Sequence, residues 1–241
     1  TATWDVAATT LSSGQLTLDG ERTIASLSLF GGTLAGSGTR TITGSLALYG
    51  GTLTGSATTS VAAGASLALA PGGGQTRLTI AGGHALRIEE GAGATWGPTN
   101  TDIDIQAPSS LVNAGTLTIS NDTQVFGSGT FVNTGTLVKD SHLQTTLVAP
   151  FDNDGTVELR AGTLELQGEG LDNTGTLRIS AGLVVRAVSY RQTAAGVLEV
   201  GLAGLGSGQL VVTTGPTTLD GTLALVTEAG SVIPATGLLV V

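Results

Sequence analysis

Cysteine is absent from the 241 residues, which excludes disulfides and thiolate metal sites without fixing the compartment. Basic residues are scarce: nine Lys and Arg stand against 18 Asp and Glu, a formal net charge of −9. Phosphate binding needs clustered cations, so nucleic acid is excluded as a partner class. No apolar run approaches the length of about 18 residues that a membrane-spanning helix needs, so no membrane insertion by this segment is expected. Charged residues make up only 11% and aromatics 3%, which suits narrow stacked units better than a broad globular core. The chain opens TATWDVAATT, without Met and without the features of a signal peptide. It is therefore expected to be a mature or excised segment.

Glycine, in contrast, is plentiful, at 38 residues and without a collagen period. It recurs in register. From Leu111 the sequence spells LVNAGTLTI, then FVNTGTLVK from Phe131, FDNDGTVEL from Phe151 and LDNTGTLRI from Leu171. The asparagines Asn113, Asn133, Asn153 and Asn173 stand 20 residues apart. A strict period of this length signals a solenoid, one coil per repeat. Within each copy apolar residues alternate, as in Leu117 and Ile119 or Leu177 and Ile179, which is the strand period of two. Stacked coils then place Leu117, Leu137, Val157 and Leu177 in one inward column and Leu111, Phe131, Phe151 and Leu171 in another. The four asparagines are expected to form a side-chain amide ladder at a corner, with Asn and Gly supplying left-handed turn conformations. Lys139 falls where Ile119, Leu159 and Ile179 sit, so the strand is expected to end at Val138 or to bulge and turn the lysine outward.

The fold class is thus all-β: a right-handed parallel β-helix (β-solenoid) of about 20-residue coils, roughly twelve in number and about 55–60 Å long at the strand spacing. One solenoid covers 1–241. Coils of a 19-residue type occupy 11–70, where SLSLFGGTLAGSGT from Ser26 returns as SLALYGGTLTGSAT from Ser45 and, degraded, as SLALAPGGG from Ser66. Less regular coils follow over 71–110, with strands at Leu78–Ile80, Leu86–Ile88 and Ile103–Ile105. Strict coils fill 111–190, and a closing module spans 191–241. Its apolar end, Leu238–Val241, suggests that the natural chain continues or packs on a neighbour.

The Asn-x-Gly-Thr-Leu repeat at 113–117, 133–137, 153–157 (with Val157 in place of Leu) and 173–177 resembles the coil motif of bacterial surface and secreted parallel β-helix proteins, notably autotransporter passenger domains and related adhesins. The tail Gly208–Val241 is similar to their closing passenger module. The resemblance implies an extracellular or cell-surface location and no shared enzyme activity. Partners on this reading are cell-surface or extracellular-matrix components, or further copies of the chain. No membrane β-barrel follows, so self-transport gains no support.

Polysaccharide-cleaving β-helices need convergent carboxylates. The candidates are Asp102 and Asp104, on one strand face; Asp152 and Asp154, flanking a corner; and Glu158, Glu165 and Glu169. Outward-facing charge on strands is the simpler reading of each. Only two histidines exist, His84 and His142, too few for a zinc site. Calcium could use Asp152 and Asp154, but the nonapeptides of calcium-binding β-rolls are absent. Asp140-Ser141-His142 has the letters of a triad, but a triad is a geometry rather than a string. Glycines 204–208 lack the lysine of a phosphate loop, and no cofactor is indicated. Ice binding would need two flat threonine rows. Thr116, Thr136, Thr156 and Thr176 give one, but Thr118, Val138, Glu158 and Arg178 spoil the second. The sequence therefore points to a non-catalytic spacer or adhesive rod, with a carbohydrate-active β-helix as the alternative.

Overall fold

In a computed structural model, residues 8–69, 77–99, 101–203 and 206–227 are described. They form an all-β solenoid of parallel strands with about 10 turns at ~21-residue spacing and no helix. Each turn visits three sheets in order. Sheet 1 stacks Thr9–Leu11, then part of Arg22–Leu29, and continues through Ser66–Leu69, Gly93–Trp96 and Thr116–Ile119 to Thr222–Thr227. Sheet 2 runs from Gln15–Thr17 through Leu78–Ile80 and Ile103–Ile105 to Gln209–Val212. Sheet 3 runs from the start of Arg22–Leu29 through Ala85–Ile88, Ser110–Asn113, Phe151–Asn153 and Leu171–Asn173 to Thr217–Leu219. Four long strands pass round a corner without a break. Arg22–Leu29 and Gly38–Leu48 join sheet 3 to sheet 1, and Thr136–Leu147 and Thr156–Leu166 join sheet 1 to sheet 2. Among the described residues, one antiparallel pairing joins Leu202 and Ala203 to Ser207 and Gly206.

The repeats set the register. Thr116 pairs with Thr136, Thr136 with Thr156 and Thr156 with Thr176. In the earlier dialect, Ser26 pairs with Ser45 and Ser45 with Ser66. Elsewhere the step lengthens, to 27 residues from Ser66 to Gly93, 23 from Gly93 to Thr116 and 25 from Val197 to Thr222. These longer steps use more chain per turn. The described residues make about 10 turns, a stack near 48 Å at about 4.8 Å per turn.

The interior follows from alternation. Leu27, Leu46, Leu67, Leu117, Leu137, Val157 and Leu177 fill one column and are almost wholly buried. Leu111, Phe131, Phe151 and Leu171 fill a second, with the Phe131 and Phe151 rings 5.0 Å apart. No single turn could bury such a stripe alone; stacking does.

The repeated glycines have a different cause from the one expected. Gly115, Gly135, Gly155 and Gly175 are not among the positive-φ glycines. They are selected by close approach: a Cβ on Gly155 would fall well inside contact distance of Gly135 O, and one on Gly175 would meet Gly155 O. The turns stack through backbone at this corner, and only glycine leaves room.

Some sequence readings lie outside the described residues, in whole or part: the opening TATWDVAATT, the SLALAPGGG copy from Ser66, the 204–208 stretch and the closing module 191–241 with its apolar end Leu238–Val241.

Candidate functional site

The asparagine ladder is present and buried. Asn113, Asn133, Asn153 and Asn173 end successive strands of sheet 3 with no exposed surface. Asn113 Nδ2 donates to Asn133 Oδ1 at 2.7 Å, Asn133 Nδ2 to Asn153 Oδ1 at 2.8 Å and Asn153 Nδ2 to Asn173 Oδ1 at 2.7 Å. Each amide also donates to a carbonyl one turn on: Thr136 O, Thr156 O, Thr176 O and Val197 O. The ladder thus satisfies carbonyls that the corner would otherwise orphan.

It also runs further than the repeat shows. Asn173 Nδ2 donates to Tyr190 Oη at 3.1 Å, and Tyr190 Oη donates to Gln192 Oε1 at 2.7 Å. Gln192 takes the ladder position in register with Asn173. Its Nε2 closes the series on Gly196 O, Asp220 O and Thr222 O. Burial pushes the Tyr190 phenol up to about 12, with the Asn173 hydrogen bond opposing. At the other end Asn113 Oδ1 is buried without a partner. Its register neighbour there is Ile88, and Val61 and Ile42 continue the position as aliphatics.

Lys139 overturns the expectation of an outward side chain. The strand continues past it, and it is only 1% exposed. The bulge does exist, as register shifts flank Asp140, but it folds the corner over the lysine. Nζ donates to Ser141 O at 2.5 Å and to Leu143 O at 2.8 Å. Burial pushes the ammonium down to about 8, with Asp122 and Asp140 opposing. Two carbonyls that the bulge turns inward hold the charge there.

The carboxylates are dispersed. Asp102 and Asp104 lie by sheet 2; Asp102 Oδ1 accepts from Gln124 N and Asp104 Oδ2 from Gln106 Nε2. Asp152 and Asp154 are exposed on sheet 3 and at the corner after it. Asp152 pairs in register with Asp172. Burial, then the charges of Asp172, Asp154 and Glu169, push the Asp152 carboxyl up. The Arg191 hydrogen bond holds Asp172 down. Glu158 lies on sheet 1, where burial pushes it up and Arg160 and Arg178 outweigh that to leave it low. Arg178 also grips Glu199 at 2.6 and 3.1 Å, so Glu158, Arg178 and Glu199 form an ion ladder across three turns. Glu165 lies on sheet 2 beside Gln167, and Glu169 at the following corner. The candidates of sheet 2 and those of sheet 3 therefore face different ways. Among the described residues no three His, Cys, Asp or Glu side chains gather as a metal site.

His142 is exposed, whereas His84 is buried. Ser141 Oγ accepts from Leu143 N at 3.2 Å, so the Asp140–His142 string is a corner rather than a triad. Register puts Thr118, Val138, Glu158 and Arg178 in one row, the mixed row that the sequence indicated.

Two features escaped the sequence reading. The first is an interior polar column. Arg40, Thr59 and His84 are all fully buried, Arg40 pairs in register with Thr59, and Thr59 Oγ1 lies 3.0 Å from His84 Nε2. Alternation held the signal, since Arg40 is two residues before inward Ile42. The second is an outer aromatic pair, Phe30 stacked on Tyr49 at 4.1 Å and 13°. A groove of about 560 Å³ lies at the last described turns, lined by Leu198, Val200, Leu210, Val212, Leu219 and Leu223 among others.

No protein-family model, curated protein or solved structure matches this chain. No helix in the described residues is long and apolar enough to cross a membrane.

Proposed function

We propose that this chain is a non-catalytic, rod-like segment of a bacterial extracellular or cell-surface protein, akin to autotransporter passenger-type adhesins, that serves as a spacer and interaction surface. The observation that carries this reading is the division of labour in each turn. Inward positions are spent on apolar columns and carbonyl-satisfying ladders, while the carboxylates are scattered over separate sheets. A hydrolytic site would need them to converge within several ångströms of one bond. Partners on this reading are cell-surface or matrix components, or further copies of the chain.

One observation favours a second reading, glycan binding. Phe30 is 45% exposed and stacked on Tyr49, so the pair offers a flat apolar platform on a polar rod. The test is a glycan array and a polysaccharide depolymerisation assay with the whole chain, alongside Phe30→Ala and the pairs Asp102→Asn/Asp104→Asn and Asp152→Asn/Asp154→Asn. The spacer reading predicts no depolymerisation and no retained glycan. Retention lost in Phe30→Ala would replace it with glycan binding, and depolymerisation lost in either aspartate pair would replace it with an enzyme.

A further inference from the structure

A buried guanidinium without a counter-charge is costly, because desolvation of an ion is repaid only by hydrogen bonds and an opposite charge. Arg40 is in that position. It has no exposed surface, and its Nη2 donates to Ala35 O at 2.5 Å and Leu18 O at 3.1 Å. Nε and Nη1 are buried and meet no acceptor among the described residues. Asp19 is the opposing charge that acts on Arg40, but it is exposed, and its Oδ1 takes Ser37 N at 3.0 Å and Ser37 Oγ at 2.9 Å. The neighbouring inward column, Ile24, Ile42 and Val61, offers no acceptor.

His84 lies in the same column, with Nε2 3.0 Å from Thr59 Oγ1. Its ring also has a hydrogen bond to the Thr54 backbone, so the unused donors here are those of Arg40, which carries the fixed positive charge.

We propose that the interior beside Arg40 is a binding site for one small monovalent anion, with chloride as the ligand available in solution. The anion accepts from Arg40 Nε and Nη1 and neutralises the guanidinium. A water molecule could accept the same hydrogen bonds but would leave the buried charge uncompensated.

The test is thermal unfolding of the whole chain at pH 7.5 in sodium chloride against sodium gluconate at matched ionic strength. Above the dissociation constant, a tenfold rise in chloride should raise the folding equilibrium constant about tenfold, the signature of one ion bound by the folded state. Arg40→Met should abolish that dependence. Should this variant not fold, crystals of the unaltered chain grown in bromide decide the matter. The expected result is one anomalous peak within hydrogen-bond distance of Arg40 Nε. A melting temperature indifferent to chloride, a dependence retained in Arg40→Met, or an ordered water only at Arg40 overturns the proposal.

Discussion

Asn153→Leu should destabilise the chain by about 3–5 kcal/mol, since two buried acceptors lose their donor at about 1–3 kcal/mol each. Those acceptors are Asn173 Oδ1 and Thr176 O, both served by Asn153 Nδ2. Asn133 Nδ2 loses an acceptor as well but keeps Thr156 O. The position in the ladder matters. Asn113 also serves two acceptors, Asn133 Oδ1 and Thr136 O, but its own Oδ1 is already unpartnered and its register neighbour is Ile88. Asn113→Leu removes that orphan and extends an aliphatic column, so it should cost about 1–2 kcal/mol less than Asn153→Leu. Urea unfolding of the two variants side by side checks both statements. Repeat arrays can unfold in parts, so amide exchange at Thr174 and Gly175, which bond to Asn153 O, should be followed with it. A loss under about 1 kcal/mol for Asn153→Leu would mean that the ladder is ornamental.

Acidification from pH 6.5 to 4 should remove about 3 kcal/mol of stability through His84 alone, at about 1.4 kcal/mol per pH unit. Burial first, and the Arg40 charge second, push its imidazole down from 6.5 to about 4, with the Thr54 backbone opposing. The unfolded chain therefore takes up a proton across this window and the folded chain does not. Stability is full above the unfolded value and falls as the pH drops towards the folded one. The low carboxylates, Glu89, Glu158 and Asp172, add their own losses at lower pH, and Asp152, held high, acts in the opposite sense. His84→Gln keeps a polar partner for Thr59 and cannot titrate. Its melting temperature should be flatter across the window than that of the unaltered chain. Equal slopes in the two proteins would show that His84 is not held neutral.

The 20-residue period made sheets 1 and 3 legible because each repeated letter has one geometric job. Leu117 points in, Asn113 ladders, and Gly115 permits backbone contact. The 19-residue dialect placed Ser26, Ser45 and Ser66 in register for the same reason. One weaker reading had a physical cause. Lys139 was inward by alternation, but a general rule against burying charge outweighed the pattern. In the structure, Ser141 O and Leu143 O receive its N–H groups and the pattern wins. Steps longer than the period left no mark in the sequence, as the 27 residues from Ser66 to Gly93 show. The candidate carboxylates could be assigned to strand faces from the sequence. Which of the three sheets each face belonged to required the fold.

The central claim is that one continuous stack of turns makes a rod whose interior is structural. Electron microscopy of the purified chain, read together with its solution scattering, tests it most directly. The account predicts a rod at least about 48 Å long, ten rises of about 4.8 Å, as single particles or as filaments lengthened by end-to-end contact. A compact globule with no long axis would contradict it.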